Sequence, residues 1–378
     1  MRIFNDINNL AKAEEWNIDT FQSSFMEIDG IQTNLLWETS PINSDVEFSL
    51  VIPTFSRFNS VLNALQSALN QKGYKRIWEI LIIDNTSFDD KCVNRLVMSL
   101  EHLNNITCHI PVKYYHNEIN IGSGYNWNRG VQLARGKWVV FLHDDDILFS
   151  YAFRNVERMV EREGLYNKPL GYIQARRVVY SDTYSDKDIK ATGRGLCIPL
   201  TRLGTMIVGY TETGAPSCGT TILREAYMKC GGINYSYGLV ADAVLGYQIM
   251  KDYTVIMSDV ALGAYKMGEN ESSKKSTIKL LIQADDLFQR ARNMNSLIGK
   301  CWEMAFGDVQ RKRDYCVKWK KMQEYKKQKN GRDYLYDVIR ITYREMSILY
   351  AFYFEIKYRL NGLFKTRDKM GLFRGNGG

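Results

Sequence analysis

The chain has 378 residues, 45% of them hydrophobic and 24% charged, which is ordinary for a globular protein and leaves ample length for a buried core. Seven scattered cysteines without a CxxC pair and only four histidines argue against a zinc site of usual spacing and favour reduced thiols in a cytoplasmic protein. The net charge of +8 is uneven, because residues 311–378 hold 18 Lys/Arg against 7 Asp/Glu, a net of +11 that leaves −3 for residues 1–310. This asymmetry predicts an anionic partner for the C-terminal part, either membrane lipid or nucleic acid.

Residues 1–47 are polar and mixed, without a long apolar stretch at the start, so we expect an N-terminal extension with a linker and no secretory signal. At Phe48 the character changes, and FSLVIP, a β-branched run closed by proline, predicts a buried strand. The residues that follow have apolar side chains at helical spacing and predict a helix that ends near Gly73. A second buried strand, WEILIID, is predicted at 78–84.

Three more elements complete this pattern. VKYYHNE at 112–118 predicts a third strand, GYNWNRGVQLARG at 124–136 a helix, and KWVVFLHDDD from Lys137 a fourth strand. Apolar strands that alternate with helices favour a Rossmann-like α/β fold, with a mostly parallel sheet flanked by helices. Ligands of such sheets bind at the carboxyl ends of the strands, and the polar clusters PTFSR, DNTSFDD and HDDD are predicted at that edge.

Asp144, Asp145 and Asp146 directly follow the fourth predicted strand. Adjacent carboxylates repel and raise one another's pKa, so something positive is expected beside them. Mg²⁺ and Mn²⁺ prefer oxygen ligands and usually share them with substrate phosphates, so the triplet predicts a divalent cation that bridges a diphosphate. The alternative is a solvated acidic turn that caps a helix.

Polar side chains also follow the first two predicted strands. Asp84 and Asn85 have the groups to hydrogen-bond a nucleobase or a ribose, or to form an Asx-turn as the chain leaves the strand, and the spacing favours neither. Thr54 and Arg57 repeat this arrangement after Pro53. The sequence therefore predicts a ligand-binding edge without settling each residue's part in it.

Residues 151–270 are less regular, and the stretches 180–195 and 214–221 predict mobile loops over a site. From about Ser276 the sequence becomes helical and basic.

Residues 311–332 hold ten basic and two acidic residues with interleaved aromatics, and an uncharged nine-residue run, MSILYAFYF, follows at 346–354. That run is far shorter than the roughly 20 residues needed to cross a bilayer. We expect a C-terminal helical, basic module that contacts an anionic membrane as an interfacial helix. The alternative is an extension that packs its aromatic stripe onto the rest of the chain or onto a second copy. Nucleic acid binding is not expected, because no recognised module is present.

Four segments, taken together, resemble a known family: VIPTFSRFNSVLNALQSALNQ, EILIIDNTSFDD, NIGSGYNWNRGVQLARGKWVVFLHDDDIL and GTTILREAYMKCGGIN. In this order, from about Phe48 to Met250, they are similar to family 2 glycosyltransferases of the GT-A fold. The resemblance implies a nucleotide-diphosphate sugar donor, with UDP as the default nucleotide, a Mn²⁺ or Mg²⁺ cofactor, and transfer with inversion. It implies nucleotide contacts at Pro53, Thr54, Phe55, Arg57, Asp84, Asn85, Gly122, Asp144 and Asp145.

The same resemblance implies metal contacts at Asp144 and Asp146. The family often has an acidic residue where His143 stands, so the register of the triplet is open by one residue.

The resemblance also implies a catalytic base, commonly the aspartate of a Glu-Asp pair, and Asp242 in YGLVADAVLGYQIMKDY matches it. A base that removes the acceptor hydroxyl proton contributes roughly 10²–10⁴-fold to the rate. Ala241 replaces the usual glutamate, which implies altered acceptor placement or reduced activity. From the residue alone, Asp242 is equally a helix N-cap.

These observations predict an N-terminal extension at 1–47, a GT-A domain at 48–275 and the basic module at 276–378. The resemblance implies a saccharide or lipid-linked acceptor in capsule or O-antigen synthesis, at the cytoplasmic face of the cell membrane. Three alternatives remain: a weakly active homologue that serves as an assembly scaffold, a haloacid-dehalogenase-type phosphatase, and a dinucleotide oxidoreductase. The phosphatase fits poorly because Leu148 stands where its motif has Thr or Val. The oxidoreductase fits poorly because Trp127 stands where the GxGxxG motif has its last glycine.

Overall fold

The structure is a computed structural model that describes residues 16–39, 45–87, 91–103, 110–180, 195–208, 218–266, 275–318 and 322–369. Its strands, numbered in chain order, are β1 (Thr33–Glu38), β2 (Phe48–Thr54), β3 (Trp78–Asp84), β4 (Val112–Asn117), β5 (Trp138–Phe141), β6 (Ile147–Leu148), β7 (Leu170–Tyr180), β8 (Cys197–Leu200), β9 (Thr220–Leu223) and β10 (Thr254–Lys266). Its helices are α1 (Phe58–Leu69), α2 (Lys91–Leu103), α3 (Ser123–Leu133), α4 (Ala152–Val160), α5 (Arg202–Val208), α6 (Arg224–Lys229), α7 (Ala241–Ile249), α8 (Lys275–Met294), α9 (Leu297–Lys318), α10 (Met322–Lys327) and α11 (Gly331–Lys369). Most of the predicted loop at 180–195 and part of that at 214–221 lie outside the described residues.

The described strands form one sheet in the order β1-β4-β3-β2-β5-β9-β7-β10-β6, with β8 paired to β10. Strands β4, β3, β2 and β5 are parallel to one another, and these are the four strands predicted from the sequence. Strand β9 is antiparallel to both β5 and β7, whereas β7 and β10 are parallel. The α/β prediction is confirmed, and the sheet as a whole is mixed rather than mostly parallel.

The parallel strands are apolar on both sides because helices cover both faces of the sheet. Every residue of β3 is buried, and so is every residue of β2 except Pro53. Glycine allows α3 to approach the sheet closely, since a Cβ at Gly130 would lie 2.3 Å from Val51 Cγ1. This close packing holds the strand ends, and the loops that leave them, in a fixed arrangement.

Residues 16–38, predicted as part of an N-terminal extension, pack into the same core. Strand β1 pairs with the outer edge of β4, and Ile18 is fully buried. Ser24 Oγ donates to the carbonyl oxygens of Gly231 (2.6 Å) and Ile233 (2.9 Å). The segment is thus part of the sheet and its packing, while the boundaries of the predicted 48–275 unit stay a prediction.

The C-terminal helix α11 contacts the part of the chain that forms the sheet. Arg162 Nη2 lies 2.8 Å from Glu355 Oε2, and the rings of Tyr166 and Phe354 are 5.5 Å apart. One face of α11 therefore packs onto the rest of the chain. Within the described part of the chain, no helix combines the length and the hydropathy of a membrane-spanning segment.

Candidate active site

The carboxyl ends of the parallel strands meet at one edge of the sheet. In the strand register Thr54 pairs with Asp84, and Asp84 pairs with His116. The loop that holds the three aspartates leaves β5 beside the end of β2. The predicted clustering of polar residues at this edge is therefore present in the structure.

The positive partner that three adjacent aspartates require is Arg57. Its Nη1 donates to Asp144 Oδ1 (3.1 Å) and to Asp145 Oδ2 (2.6 Å). Thr54 Oγ1 donates to the second oxygen of Asp144 at 2.8 Å. Arg57 directly precedes α1, so the helix fixes the position of its backbone. From there its guanidinium contacts two carboxylates.

Burial changes the acid–base properties of this group. Desolvation raises the pKa of Asp144, although Arg57 and the Thr54 hydroxyl act in the opposite direction. Burial would lower the pKa of Arg57, but Asp144 and Asp145 outweigh it and raise that pKa. The guanidinium is therefore charged at every relevant pH and neutralises part of the acidic cluster.

A second group of side chains lies next to this ion pair. His143, Asp145 and Asp146 each offer one ligand atom, and these atoms all lie within 4.8 Å of one another. Asp146 was predicted as a metal ligand and is in this group, whereas Asp144 is outside it. The cluster adds His143, and the metal roles of these residues stay predictions.

Asp146 is the most constrained member of the cluster. The Cys218 thiol donates to its Oδ2 at 3.0 Å, and the backbone N–H of Lys266 donates to its Oδ1 at 3.1 Å. Burial raises the pKa of Asp146, with His143 and these two donors acting against the rise. Cys218 has φ of 26°, in the left-handed region that is unusual for a residue with a Cβ.

Asp84 is only 2% exposed, and its carboxylate is already hydrogen-bonded within the chain. Tyr114 Oη donates to Oδ2 at 2.7 Å, and the N–H of Thr86 donates to Oδ1 at 2.8 Å in an Asx-type turn. Asp84 therefore forms the Asx-turn that was one of the two alternatives left open by the sequence. The other alternative, a role in nucleotide binding, stays a prediction.

Asn85 and Gly122 connect the end of β3 with the start of α3. Asn85 Nδ2 donates to the Gly122 carbonyl at 3.1 Å, and Asn117 Nδ2 donates to Asn85 Oδ1 at 2.7 Å. Gly122 has φ of 87°, which a glycine adopts without strain as the chain enters the helix. Their roles in nucleotide binding remain predictions, and in the structure they shape the loop at this edge.

Phe55 and Pro53 occupy the end of β2 on either side of Thr54. Phe55 is 51% exposed, so it presents an aromatic face to solvent beside the aspartate loop. Pro53 is half-buried and pairs with Ile83 in the sheet. Only Phe55 of these two has the exposure that stacking on a planar ligand would require.

Asp242 lies in the first turn of α7, where its Oδ1 accepts from the N–H of Ala243 at 2.7 Å. Val240, not Asp242, is the N-cap residue, so the N-cap alternative is wrong. Burial raises the pKa of Asp242 to about 6, while its backbone hydrogen bonds and the positive field of His143 and Arg177 oppose that rise. Asp242 is therefore electrostatically coupled to the residue that begins the aspartate loop.

Three residues of the candidate site escaped the sequence analysis as functional residues: His143, Cys218 and Lys266. The sequence did contain a signal for His143, since this residue directly precedes the three aspartates. Cys218 and Lys266 contact Asp146 from 72 and 120 residues away, and no local pattern indicates such contacts.

Comparison with known proteins shows which family this part of the chain resembles. The family model for glycosyl transferase family 2 matches residues 49–231. The chain is 34% identical over 107 residues to a GalNAc(5)-diNAcBac-PP-undecaprenol beta-1,3-glucosyltransferase of Campylobacter jejuni, covering 28% of this chain and 32% of the relative. It is 30% identical over 102 residues to the amylovoran biosynthesis glycosyltransferase AmsB of Erwinia amylovora, covering 27% and 32%. The chain aligns with only 14–38% of the length of its curated relatives.

A crystal structure of residues 1–349 of S. aureus TarS in complex with UDP has the same overall fold. It superposes with a TM-score of 0.50 at 13% identity, over 84% of this chain and 92% of TarS. The likeness confirms the GT-A fold. The model of glycosyl transferase family 2 thus matches residues 49–231, the part of the chain that contains Thr54, Asp84 and the aspartate triplet.

Proposed function

We propose that the chain transfers a sugar from a nucleotide-diphosphate sugar, with UDP as the first nucleotide to test, to a hydroxyl group of a saccharide or lipid-linked saccharide. The observation that carries this proposal is the Arg57 ion pair with Asp144 and Asp145 at the carboxyl edge of the sheet, next to the cluster of His143, Asp145 and Asp146. This arrangement supplies both a cation for phosphate oxygens and carboxylates for a metal ion.

The donor's phosphates fit the position of Arg57. Its side chain is 39% exposed, so an entering diphosphate can reach the guanidinium from solvent. Arginine binds phosphate through paired N–H groups, and such charge-assisted bonds are about twice as strong as neutral ones. Phe55, which follows Thr54, offers a face on which a nucleobase can stack, and Asp84 and Asn85 lie at the same edge of the sheet.

The cluster of His143, Asp145 and Asp146 fits a divalent cation, with Mn²⁺ favoured by the imidazole and Mg²⁺ by the two carboxylates. A bound cation would supply charge that stabilises the departing diphosphate. In this proposal Asp146 is oriented for that task by the Cys218 thiol and the Lys266 amide, which hold one oxygen each.

Asp242 is proposed as the base. Its ionised carboxylate takes the proton from the acceptor hydroxyl, the acceptor oxygen bonds to the anomeric carbon, and the bond from that carbon to the diphosphate oxygen breaks. The leaving nucleoside diphosphate takes the electron pair of that bond. A single displacement of this kind inverts the anomeric carbon, as the family resemblance implies.

The setting is proposed from the relatives. The Erwinia relative is named for amylovoran biosynthesis and the Campylobacter relative for a lipid-linked substrate. A surface polysaccharide, either capsule or O-antigen, built at the cytoplasmic face of the cell membrane fits both. A lipid-linked acceptor would require the enzyme to work beside that membrane.

One observation favours a second candidate, a weakly active homologue that serves as an assembly scaffold. Ala241 is 3% exposed, so an apolar, packed side chain occupies the place where the family commonly has glutamate. The scaffold alternative predicts nucleotide binding without turnover.

Release of free nucleoside diphosphate from a panel of nucleotide sugars, with and without Mn²⁺, tests the proposal. We expect one donor to be turned over in a metal-dependent manner when a saccharide acceptor is present. In parallel, calorimetric titration should show that Mn²⁺ and UDP bind cooperatively. Binding without turnover of any donor would favour the scaffold, and the absence of any coupled uptake of Mn²⁺ and UDP would remove the enzyme assignment.

A further inference from the structure

The long helix α11 has two apolar faces, and within the described part of the chain one of them is covered and the other is exposed. The covered face includes Tyr336 and Ala351, which are at most 1% exposed, together with Glu355, which pairs with Arg162. Tyr343 Oη also lies 3.1 Å from Thr201 Oγ1. These contacts fix the rotation of the helix about its axis.

The opposite side of α11 presents a row of large apolar side chains to solvent. Spacings of three and four residues, and of eight between Val338 and Met346, place them along one face of the helix. This outer face consists of Leu335, Val338, Met346, Leu349, Tyr353, Ile356 and Leu360, each between 49 and 63% exposed. It runs for about 38 Å at 1.5 Å per residue.

Such a row is unusual on the surface of a soluble monomer, where large contiguous apolar patches mark interaction sites. A covered inner face already anchors the helix, whereas the outer face stays exposed among the residues that the structure describes. The number of exposed leucine, isoleucine and tyrosine side chains on a single rigid helix indicates a surface that another body covers.

Charge decides between the possible occupants. Lys357 and Arg359 border the outer face, with Glu345 as its acidic member, and residues 311–378 carry a net charge of +11. Two copies of this module would bring like charges together. An anionic lipid surface would instead neutralise them while the apolar row enters the boundary between headgroups and acyl chains.

We propose that the outer face of α11 is a docking surface for an anionic membrane, on which the helix lies in the plane of the interface. The aromatic rings of Tyr350 and Tyr353 fit the headgroup level, where tyrosine is enriched. This inference concerns α11 alone and does not depend on the glycosyl transfer proposed above.

Flotation of the full chain with vesicles tests this surface. We expect the chain to float with vesicles of about 30% phosphatidylglycerol in phosphatidylcholine at low salt, and the bound fraction to fall about tenfold at roughly 0.5 M NaCl. The double variant Leu349→Asp/Ile356→Asp should lower binding about tenfold or more, because it places charge in the apolar row. Met98→Asp, which alters an equally exposed residue on α2, serves as the matched control and should bind like the unmodified chain.

Retained circular dichroism, melting temperature and release of nucleoside diphosphate would show that the double variant is folded, and would separate this result from a failure of the proposed function. Undiminished flotation of the double variant, or equal binding to pure phosphatidylcholine vesicles, would overturn the proposal. A dimer in sedimentation that the double variant converts to a monomer would also overturn it and assign the face to a second copy.

Discussion

At the aspartate loop the three carboxylates have different, partly overlapping sets of partners, although the three residues are adjacent in the chain. Asp144 is bonded to Thr54 and Arg57, and Asp146 is held by Cys218 and Lys266. Asp145 alone belongs to both groups, because it pairs with Arg57 and also lies in the cluster with His143. Competition between the guanidinium and a metal ion for Asp145 follows from this geometry.

Replacement of Arg57 by methionine tests that competition. Without the guanidinium, Asp145 is free to bind a cation, so we expect Mn²⁺ to bind more tightly in the absence of nucleotide. The same change should weaken UDP binding by about 10–100-fold, since a charge-assisted hydrogen bond contributes about 1.5–3 kcal/mol. Isothermal titration with each ligand separately measures both effects.

The matched control for this variant is Arg76→Met, which removes a more exposed arginine paired with Glu47. Both affinities should stay unchanged in that protein. Unaltered Mn²⁺ affinity in Arg57→Met would show that Asp145 does not join a metal site.

The pKa of Asp242 gives the proposed reaction a pH dependence. A base works in its ionised form, so kcat/KM should rise with pH through an apparent pKa of about 6 and then level off. Asp242→Asn should lower kcat by roughly 10²–10⁴-fold with nearly unchanged UDP affinity. Activity that persists in the variant, with the same acidic limb in its pH profile, would exclude this residue as the base.

The sign of the stability effect at Asp242 is opposite to that of activity. Burial raises the folded-state pKa above the value of about 3.9 in an unfolded chain. The folded state therefore favours the protonated form, and this stability is present below about pH 4 and lost as pH rises to about 6. Asp242→Asn removes the titration, so its urea midpoint relative to the unmodified chain should increase between those two pH values.

Sequence reasoning reached the residues of this edge but only part of their geometry. Asp84 and the triplet were predictable because a buried strand that ends in polar residues is a local pattern. Arg57 and Asp145 are 88 residues apart in the sequence, and the strained Cys218 is 72 residues from Asp146. Both hydrogen bonds therefore depend on the tertiary fold. His143 was visible in the sequence, but its participation with Asp145 and Asp146 follows only from the turn of the loop.

At the scale of elements, the predicted parallel strands are present because their apolar residues are continuous, which is typical of strands covered on both faces. Strand β1 escaped prediction because none of its residues is fully buried and its sequence, TNLLWE, is polar at both ends. Its pairing with β4 comes from a free sheet edge, which is a property of the assembled fold and not of the segment.

The contribution of residues 16–38 to the core is measurable through Ile18. Ile18→Ala should lower the free energy of unfolding by about 2–5 kcal/mol, because it removes buried methyl groups and leaves a cavity. Met26→Ala, at a residue that is 74% exposed, should change it by less than about 0.5 kcal/mol. Urea unfolding of both variants provides the comparison, and equal midpoints would mean that the N-terminal segment does not pack as described.

For the molecule as a whole, the open question from the sequence was whether the aromatic C-terminal segment packs on the rest of the chain or contacts something else. The structure gives α11 an inner face that packs, through Tyr166 with Phe354 and Arg162 with Glu355. Its outer face is exposed among the described residues. Composition predicted a helical, aromatic segment, but the division between the two faces depends on how the helix is rotated against the sheet unit.

Arg162 and Glu355 connect the two parts of the molecule, and both side chains are nearly buried, at 11 and 12% exposure. Glu355→Ala leaves the guanidinium with the Gly195 carbonyl, the Cys197 sulfur and the Tyr358 ring as its partners among the described residues, and breaking a buried pair costs up to about 3–5 kcal/mol. We expect α11 to lose hydrogen-exchange protection while β2 and β3 keep theirs.

Arg359→Ala removes an exposed i,i+4 partner of the same glutamate, a pair that contributes about 0.3–0.5 kcal/mol, and should leave the exchange of α11 nearly unchanged. Equal protection of α11 in both variants would mean that apolar packing alone holds the helix in place.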